Sequence, residues 1–239
     1  MVSLAMMKKK KLITILCLIL TLTSCDDGRL YEKLVIVPEE GRVVKLTGRL
    51  TGIDEWTSEY SVVVAGFLED NEYAVYTKTL SADAENEVEE VMKGIGEDVK
   101  SIELCVVNRL RKRIMTFHTA DVNTSDTIRM DVGTMDVGMY ASIQEQMFNT
   151  TCVGCHGASN FAGAGLYLTE GKSYDALVRQ PSKLINDKQL VEPGNANESV
   201  LYQAITSDVS NTWKINHSNM VISTPTSNVL KAWINNLKE

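Results

Sequence analysis

The chain has 239 residues, of which 44% are hydrophobic and 23% are charged, and its formal net charge is −7. This is the composition of an ordinary globular protein, and it excludes a collagen-like, a wholly disordered or a polytopic membrane chain. The length suits one large domain or two modest ones. Because an acidic chain binds polyanions poorly, we do not expect nucleic acid as a partner.

Residues 1–24 have the features of a bacterial signal peptide. Four consecutive lysines at residues 8–11 precede an apolar stretch, residues 12–22. That stretch is shorter than the ~20 residues that a helix needs to span a bilayer. Removal of residues 1–24 leaves 20 basic and 31 acidic side chains, a formal charge of −11. We therefore expect an extracytoplasmic mature protein.

The signal ends in Leu22-Thr23-Ser24-Cys25, which resembles a bacterial lipobox. The resemblance implies that Cys25 carries lipid and becomes the first residue of the mature chain. Acyl chains contribute ~0.8 kcal/mol per buried methylene, so they would anchor the protein to a membrane. The alternative is an uncleaved N-terminal anchor in which Cys25 is incidental.

The acidic pair Asp26-Asp27 follows this cysteine. It resembles the signal that sends lipoproteins of the Bacteroidetes to the outer membrane or cell surface. In other Gram-negative bacteria, Asp at this position can retain a lipoprotein in the inner membrane. We expect the outer membrane or cell surface, with residues 25–30 as a linker.

Residues 31–135 are predicted to form an all-β domain. At residues 44–52 apolar or small side chains alternate with polar ones, which predicts a half-buried strand. Similar patterns, or β-branched and aromatic composition, predict further strands at residues 60–68, 74–80, 88–95, 102–106, 113–119 and 128–132. Six or seven short strands favour an immunoglobulin-like β-sandwich, although the Cys–Trp–Cys pattern of a true immunoglobulin domain is missing.

The string Cys152-Val153-Gly154-Cys155-His156 is a C-x-x-C-H motif, the pattern of c-type haem attachment. Two intervening residues let both thiols reach the two vinyl groups of one haem and form thioethers. The adjacent histidine then lies under the iron as its proximal ligand. The motif predicts one covalent haem c, attached through Cys152 and Cys155, with His156 on the iron.

Two other kinds of site use similar cysteine spacings. A thioredoxin-like pair would require a βαβ pattern, which does not surround the motif. A zinc site would require a second pair of ligands, and His217 is the only histidine that follows His156. Haem is therefore the interpretation that we favour in an exported protein.

The sequence around the motif has helical periodicity. Tyr140, Ile143 and Met147 recur at helical spacing before the motif, and a second apolar stripe covers residues 229–237. Between them, Asn195 and Glu198 have the spacing of a capping box. These segments predict helices at both ends of residues 140–239.

Residues 140–239 resemble the monohaem c-type cytochrome domain of exported proteins from planctomycetes and Bacteroidetes. Besides the motif and Gly157, the matching segments are residues 165–168, 174–178, 191–194, 198–202, 220 and 230–234. The resemblance implies an all-α, cytochrome c-like domain at residues 140–239, joined to the β-sandwich at residues 31–135. It also implies an electron carrier rather than an enzyme.

The resemblance suggests the remaining haem contacts. In such cytochromes the distal iron ligand is a methionine from the loop before the last helix, and Met220 stands at this place. The family usually has Met-Pro-Pro there, whereas this chain has Met220-Val221-Ile222, and His217 is the rival ligand. A proline carbonyl accepts a hydrogen bond from the proximal imidazole in the family, which implies this role for Pro193.

We therefore expect a lipid-anchored c-type cytochrome that passes single electrons to or from another extracytoplasmic redox protein. Two alternatives remain open. One is a haem-based sensor or small-ligand binder with a displaceable distal ligand, and the other is an interaction protein that acts through its β domain.

Radiolabelled palmitate should label the protein in growing cells, because acyl chains are attached at a lipobox cysteine. The Cys25→Ala variant should carry no label, whereas the Cys105→Ala variant should be labelled like the wild type. Label that persists in Cys25→Ala would contradict the lipobox.

Overall fold

The computed structural model describes residues 41–122, 127–157, 162–209, 213–220 and 222–238. These residues belong to one compact unit of the chain, Glu39–Glu239. The predictions on the signal peptide, on Cys25 and on the linker concern residues outside the described ranges. Within those ranges, no helix has the length and apolar character required to cross a membrane.

The described residues contain seven strands in two sheets. The strands are β1 (Arg42–Thr51), β2 (Tyr60–Phe67), β3 (Tyr76–Thr79), β4 (Glu87–Ile95), β5 (Ser101–Asn108), β6 (Arg113–Ala120) and β7 (Thr127–Asp136). One sheet has the order β4-β1-β7, with β1 antiparallel to β4 and parallel to β7. The other has the order β3-β2-β5-β6 and is antiparallel. The predicted strand segments are confirmed.

The two sheets enclose a shared apolar core. The alternating residues Val44, Leu46 and Leu50 of β1 are fully buried there, in the same cluster as Val64 of β2 and Leu104 of β5. Full burial of such a side chain stabilises the fold by ~1.5–3 kcal/mol. The alternation of apolar and polar residues in β1 therefore identifies the face of the sheet that packs against the core.

Short helices follow β7. They are α1 (Met139–Ile143), which continues into a π-helix (Gln144–Cys152), then α2 (Val153–His156), α3 (Ser173–Leu177), α4 (Val200–Thr206) and α5 (Thr224–Asn236). Single 3-10 turns lie at Ile53–Glu55, Gly163–Gly165, Ala196–Glu198 and His217–Asn219. The two predicted helical stripes thus lie on α1 with the π-helix and on α5.

The predicted fold class, an immunoglobulin-like β-sandwich joined to an all-α cytochrome c-like domain, is wrong. The fold is mixed, its largest elements are the two sheets, and of the helices in the described ranges only α5 reaches 13 residues. Between α3 and α4 the chain is held by turns and by isolated bridges, Val178–Val191 and Pro181–Gln189. A stripe of apolar residues indicates which face is buried but not how long the helix is. The predicted capping box, for example, begins only a 3-10 turn.

The helices pack against the strands within this unit. Met115 of β6 belongs to the same buried cluster as Ile143 of α1 and Trp233 of α5. The indole Nε1 of Trp56 donates a hydrogen bond to the carbonyl oxygen of Val137 at 2.7 Å, just before α1. Helices of this length have little stability alone, so the strands supply part of the surface that stabilises them.

A buried arginine ties β1 to two loops. The side chain of Arg42 is only 8% exposed. Its guanidinium donates to the carbonyl oxygens of Val122 at 3.0 Å, Gly96 at 2.6 Å and Val99 at 2.9 Å. A buried charge costs stability unless hydrogen bonds compensate for the lost water, and these carbonyls provide that compensation.

We predict that Arg42→Met lowers the free energy of unfolding by about 2–3 kcal/mol, because the carbonyls lose charged donors in a buried place. Arg49→Met on the same strand is the matched control, since the Arg49–Glu87 pair at 3.2 Å has side chains 52% and 64% exposed. It should change stability by less than about 0.5 kcal/mol. Urea unfolding measures both, and equal losses would contradict the assigned role of Arg42.

Candidate functional site

The C-x-x-C-H motif lies where the π-helix passes into α2. Cys152 ends the π-helix and Cys155 lies in α2, and residues three apart on a helix share one face. Both thiols are free, with Cys152 half-buried and Cys155 exposed. Burial raises the pKa of Cys152 to about 11, and the nearby Cys155 adds to this shift. Cys152 is therefore a neutral thiol near pH 7.

A buried polar network holds the π-helix. The Nε2 atom of Gln144 donates to the Oδ1 atom of Asn149 at 2.7 Å and to the carbonyl oxygen of Leu168 at 3.0 Å. The hydroxyl of Ser173 donates to the Oε1 atom of Gln144 and lies 2.6 Å from the hydroxyl of Tyr140. The network joins the π-helix to the loop before α3 and to α3 itself.

Sequence reasoning missed Gln144 and Ser173. Both are buried polar residues, at 6% and 1% exposure. No spacing in the sequence distinguishes them from surface residues. A π-helix is frequently found at functional sites, but its wider turn leaves no clear mark in an apolar pattern.

Aromatic contacts hold the helix that precedes the motif against α5. The ring centroid of Tyr140 lies 4.8 Å from that of Trp233, and the two planes differ by 34°. Tyr174 of α3 meets Tyr140 edge-on, with centroids 5.2 Å apart. Such aromatic pairs stabilise packing by about 0.5–1.5 kcal/mol beyond the burial of their apolar surface. They therefore fix how α1 lies on α5.

The imidazole of His156 has one oriented nitrogen. Its Nδ1 atom lies 3.0 Å from the carbonyl oxygen of Gly163. A carbonyl only accepts hydrogen bonds, so this contact requires the proton on Nδ1 and leaves Nε2 with a free lone pair. The predicted role of Pro193 is thus taken by Gly163, because the chain turns back beside the ring within seven residues of it.

Gly163 also lies close to this ring. A Cβ atom at Gly163 would come within 3.2 Å of the Cε1 atom of His156 and 3.4 Å of the carbonyl oxygen of Cys155. Such contacts are tighter than ordinary van der Waals packing. A larger residue there would press on the imidazole, so the glycine keeps the ring and the carbonyl in hydrogen-bonding range.

A cavity of about 1000 Å³ opens beside the motif. Cys152, Cys155 and His156 all stand on its wall. Most of the remaining wall is apolar and comes from the segments around α3 and α4, with Leu166, Leu168, Leu177, Leu190, Leu201 and Ile205. Neither Asp nor Glu lines the cavity in the described part of the chain, although the protein as a whole is acidic.

The turn before α5 provides another part of the wall. His217 and Met220 both line the cavity, and the amide of Met220 donates to the carbonyl oxygen of His217 at 3.0 Å. Residues three apart in a 3-10 turn lie one above the other. The ring centroids of His217 and His156 are 6.1 Å apart, with planes inclined by 31°. The structure therefore brings five predicted site residues together on one cavity, namely Cys152, Cys155, His156, His217 and Met220.

The environment of His217 favours its neutral form. Burial lowers its pKa, the nearby His156 lowers it further, and the Ile215 carbonyl acts more weakly in the opposite direction. The ring of Trp213 meets it edge-on, with centroids 5.4 Å apart. Neutral imidazole is the form that binds metal ions.

The donors in the cavity suit a metal that brings its own ligands. In the ranges that the structure describes, no group of three or more His, Cys, Asp or Glu side chains could hold a metal ion. The iron of a haem takes four ligands from the porphyrin, so it requires only axial ligands from a protein. The oriented imidazole of His156 is a donor of that kind. The two free thiols and the apolar wall would suit the porphyrin itself.

Comparison of the chain with protein-family models, with curated proteins and with solved structures finds no match. The motif and the cavity therefore carry the functional interpretation.

We predict different effects for the two glycines of the motif region. A Cβ atom at Gly157 would lie 2.5 Å from the carbonyl oxygen of Val153, whereas a Cβ atom at Gly154 would meet nothing within 4 Å. Gly157→Ala should lower the free energy of unfolding by about 1–3 kcal/mol. Gly154→Ala should be neutral or stabilising by up to about 1 kcal/mol. Urea unfolding in the absence of haem measures both, and equal effects would refute the packing at α2.

Proposed function

We propose that the protein is a c-type cytochrome that holds one covalent haem in this cavity and carries single electrons. The observation that carries the proposal is the position of the motif. Its two thiols and its imidazole stand together on the wall of a largely apolar cavity of about 1000 Å³. Cofactor sites are mostly apolar cavities of about 300–1,000 Å³ with a few placed polar groups.

The two cysteines are suited to covalent attachment. Each thiol would add across one vinyl group, so that sulfur bonds to one vinyl carbon and the thiol hydrogen passes to the other. No net oxidation or reduction is required. The half-buried Cys152 and the exposed Cys155 are both free thiols, as this addition requires.

His156 is suited to bind iron through Nε2. Its Nδ1 proton points at the Gly163 carbonyl at 3.0 Å, which fixes the ring and increases the basicity of the other nitrogen. The largely apolar wall would suit the porphyrin, and the lining residues that the structure describes include no Asp or Glu that would repel the haem propionates. When bound, haem supplies reversible one-electron chemistry at iron.

The N-terminal sequence supports a site of action outside the cytoplasm. The signal peptide and the lipobox at Cys25 favour a lipoprotein, and Asp26-Asp27 favours the outer membrane or cell surface. A protein held there by lipid would exchange electrons with another extracytoplasmic redox protein. The C-x-x-C-H motif fits this compartment, in which haem c is attached.

Expression in a host with haem c maturation machinery should give a protein that stains for haem after denaturing electrophoresis. Cys152→Ala/Cys155→Ala should abolish the stain, because both thioethers are lost. Cys105→Ala is the matched control, since Cys105 is fully buried in β5 and does not line the cavity, and it should keep the stain. A wild-type protein without stain would contradict the proposed function.

A further inference from the structure

We infer that His217, rather than Met220, binds the haem iron opposite His156, which gives an electron carrier of low reduction potential. This inference rests on the proposed function, because it concerns the iron of the proposed haem. The sequence favours Met220 through family resemblance alone. The structure offers an independent criterion, the distance between the two imidazoles.

The separation of the two rings matches a shared metal ion. A histidine nitrogen binds a first-row metal ion such as zinc at about 2 Å, and the ring centre lies about 1 Å behind that nitrogen. Two imidazoles on opposite sides of one ion therefore have ring centres about 6 Å apart. The centroids of His156 and His217 are 6.1 Å apart, and both residues line the cavity.

The burial of one ring nitrogen determines which nitrogen of His217 could bind a metal ion. The Nδ1 atom of His217 is buried and has no hydrogen-bond partner among the described residues. Because His217 lines the cavity while its Nδ1 atom is buried, Nε2 is the nitrogen that could reach an iron there.

The turn holds His217 firmly in this place. The Oδ1 atom of Asn216 accepts hydrogen bonds from the amide of Ser218 at 2.9 Å and from its hydroxyl at 2.6 Å. The edge-on ring of Trp213 packs against the imidazole. A ligand held by its own backbone turn and by an aromatic neighbour needs little rearrangement to bind.

The choice of ligand determines the class of redox partner. Methionine–histidine ligation raises the reduction potential of haem c. Two histidines stabilise ferric iron more and lower the potential. The partner is therefore expected to be a redox protein of similarly low potential, and not a strong oxidant.

The test uses the full chain with its covalent haem. The ferric wild type should lack the far-red charge-transfer band that a thioether–iron bond produces. Met220→Leu should leave the spectrum and the potential unchanged. His217→Met should create the band and raise the potential.

A rescue experiment separates ligation from structural roles. His217→Gly should lose the low-spin, six-coordinate spectrum, and added imidazole should restore it, which a merely structural residue would not allow. A far-red band in the wild type that disappears in Met220→Leu would overturn the inference, while the covalent haem of the proposed function would stand. A wild type without covalent haem would overturn both.

Discussion

The site around the C-x-x-C-H motif depends on the hydrogen bonds of the Gln144 side-chain amide. It is buried, and it makes one hydrogen bond within the π-helix, to Asn149, and two that join the π-helix to the carbonyl of Leu168 and to Ser173. A π-helix is rare because its own geometry is poor, so it persists where other contacts fix it. Here those contacts set the direction in which the chain reaches Cys152, and the positions of Cys155 and His156 follow from it.

The sheets and the site depend on each other through packing. The helices after β7 are mostly shorter than the ~12–15 residues at which an isolated helix becomes stable. They gain stability from α5 and from the strands, through residues such as Met115 and the Trp56–Val137 hydrogen bond. The cavity wall is thus built from turns and short helices that a larger apolar core supports, which explains how a wall with so little regular structure keeps its shape.

Local features were predictable from the sequence, and distances between remote segments were not. The strands follow from alternation in segments such as residues 44–52, and the motif identifies Cys152, Cys155 and His156 by adjacency alone. The fold class was wrong because helix length and a shared core depend on tertiary packing. The carbonyl of Gly163 and not that of Pro193 faces the His156 imidazole, because a turn that the composition does not reveal brings Gly163 near the ring. Likewise, Met220 and His217 are only three residues apart, so their places in the sequence do not show which of them lies nearer to His156.

The unequal burial of the two motif cysteines has a consequence for their reactivity. Cys155 is exposed, whereas Cys152 is half-buried and its pKa is raised. An oxidising compartment favours disulfides between free thiols, and the thiolate is the form that reacts. Cys155 is therefore the more accessible of the two thiols to oxidants and reductants in solution. Cys105 is fully buried in β5, so reagents in solution do not reach its thiol. Among the three cysteines that the structure describes, the neighbours Cys152 and Cys155 are thus the pair that could form a disulfide, and a reductant would reach that bond from the side of Cys155.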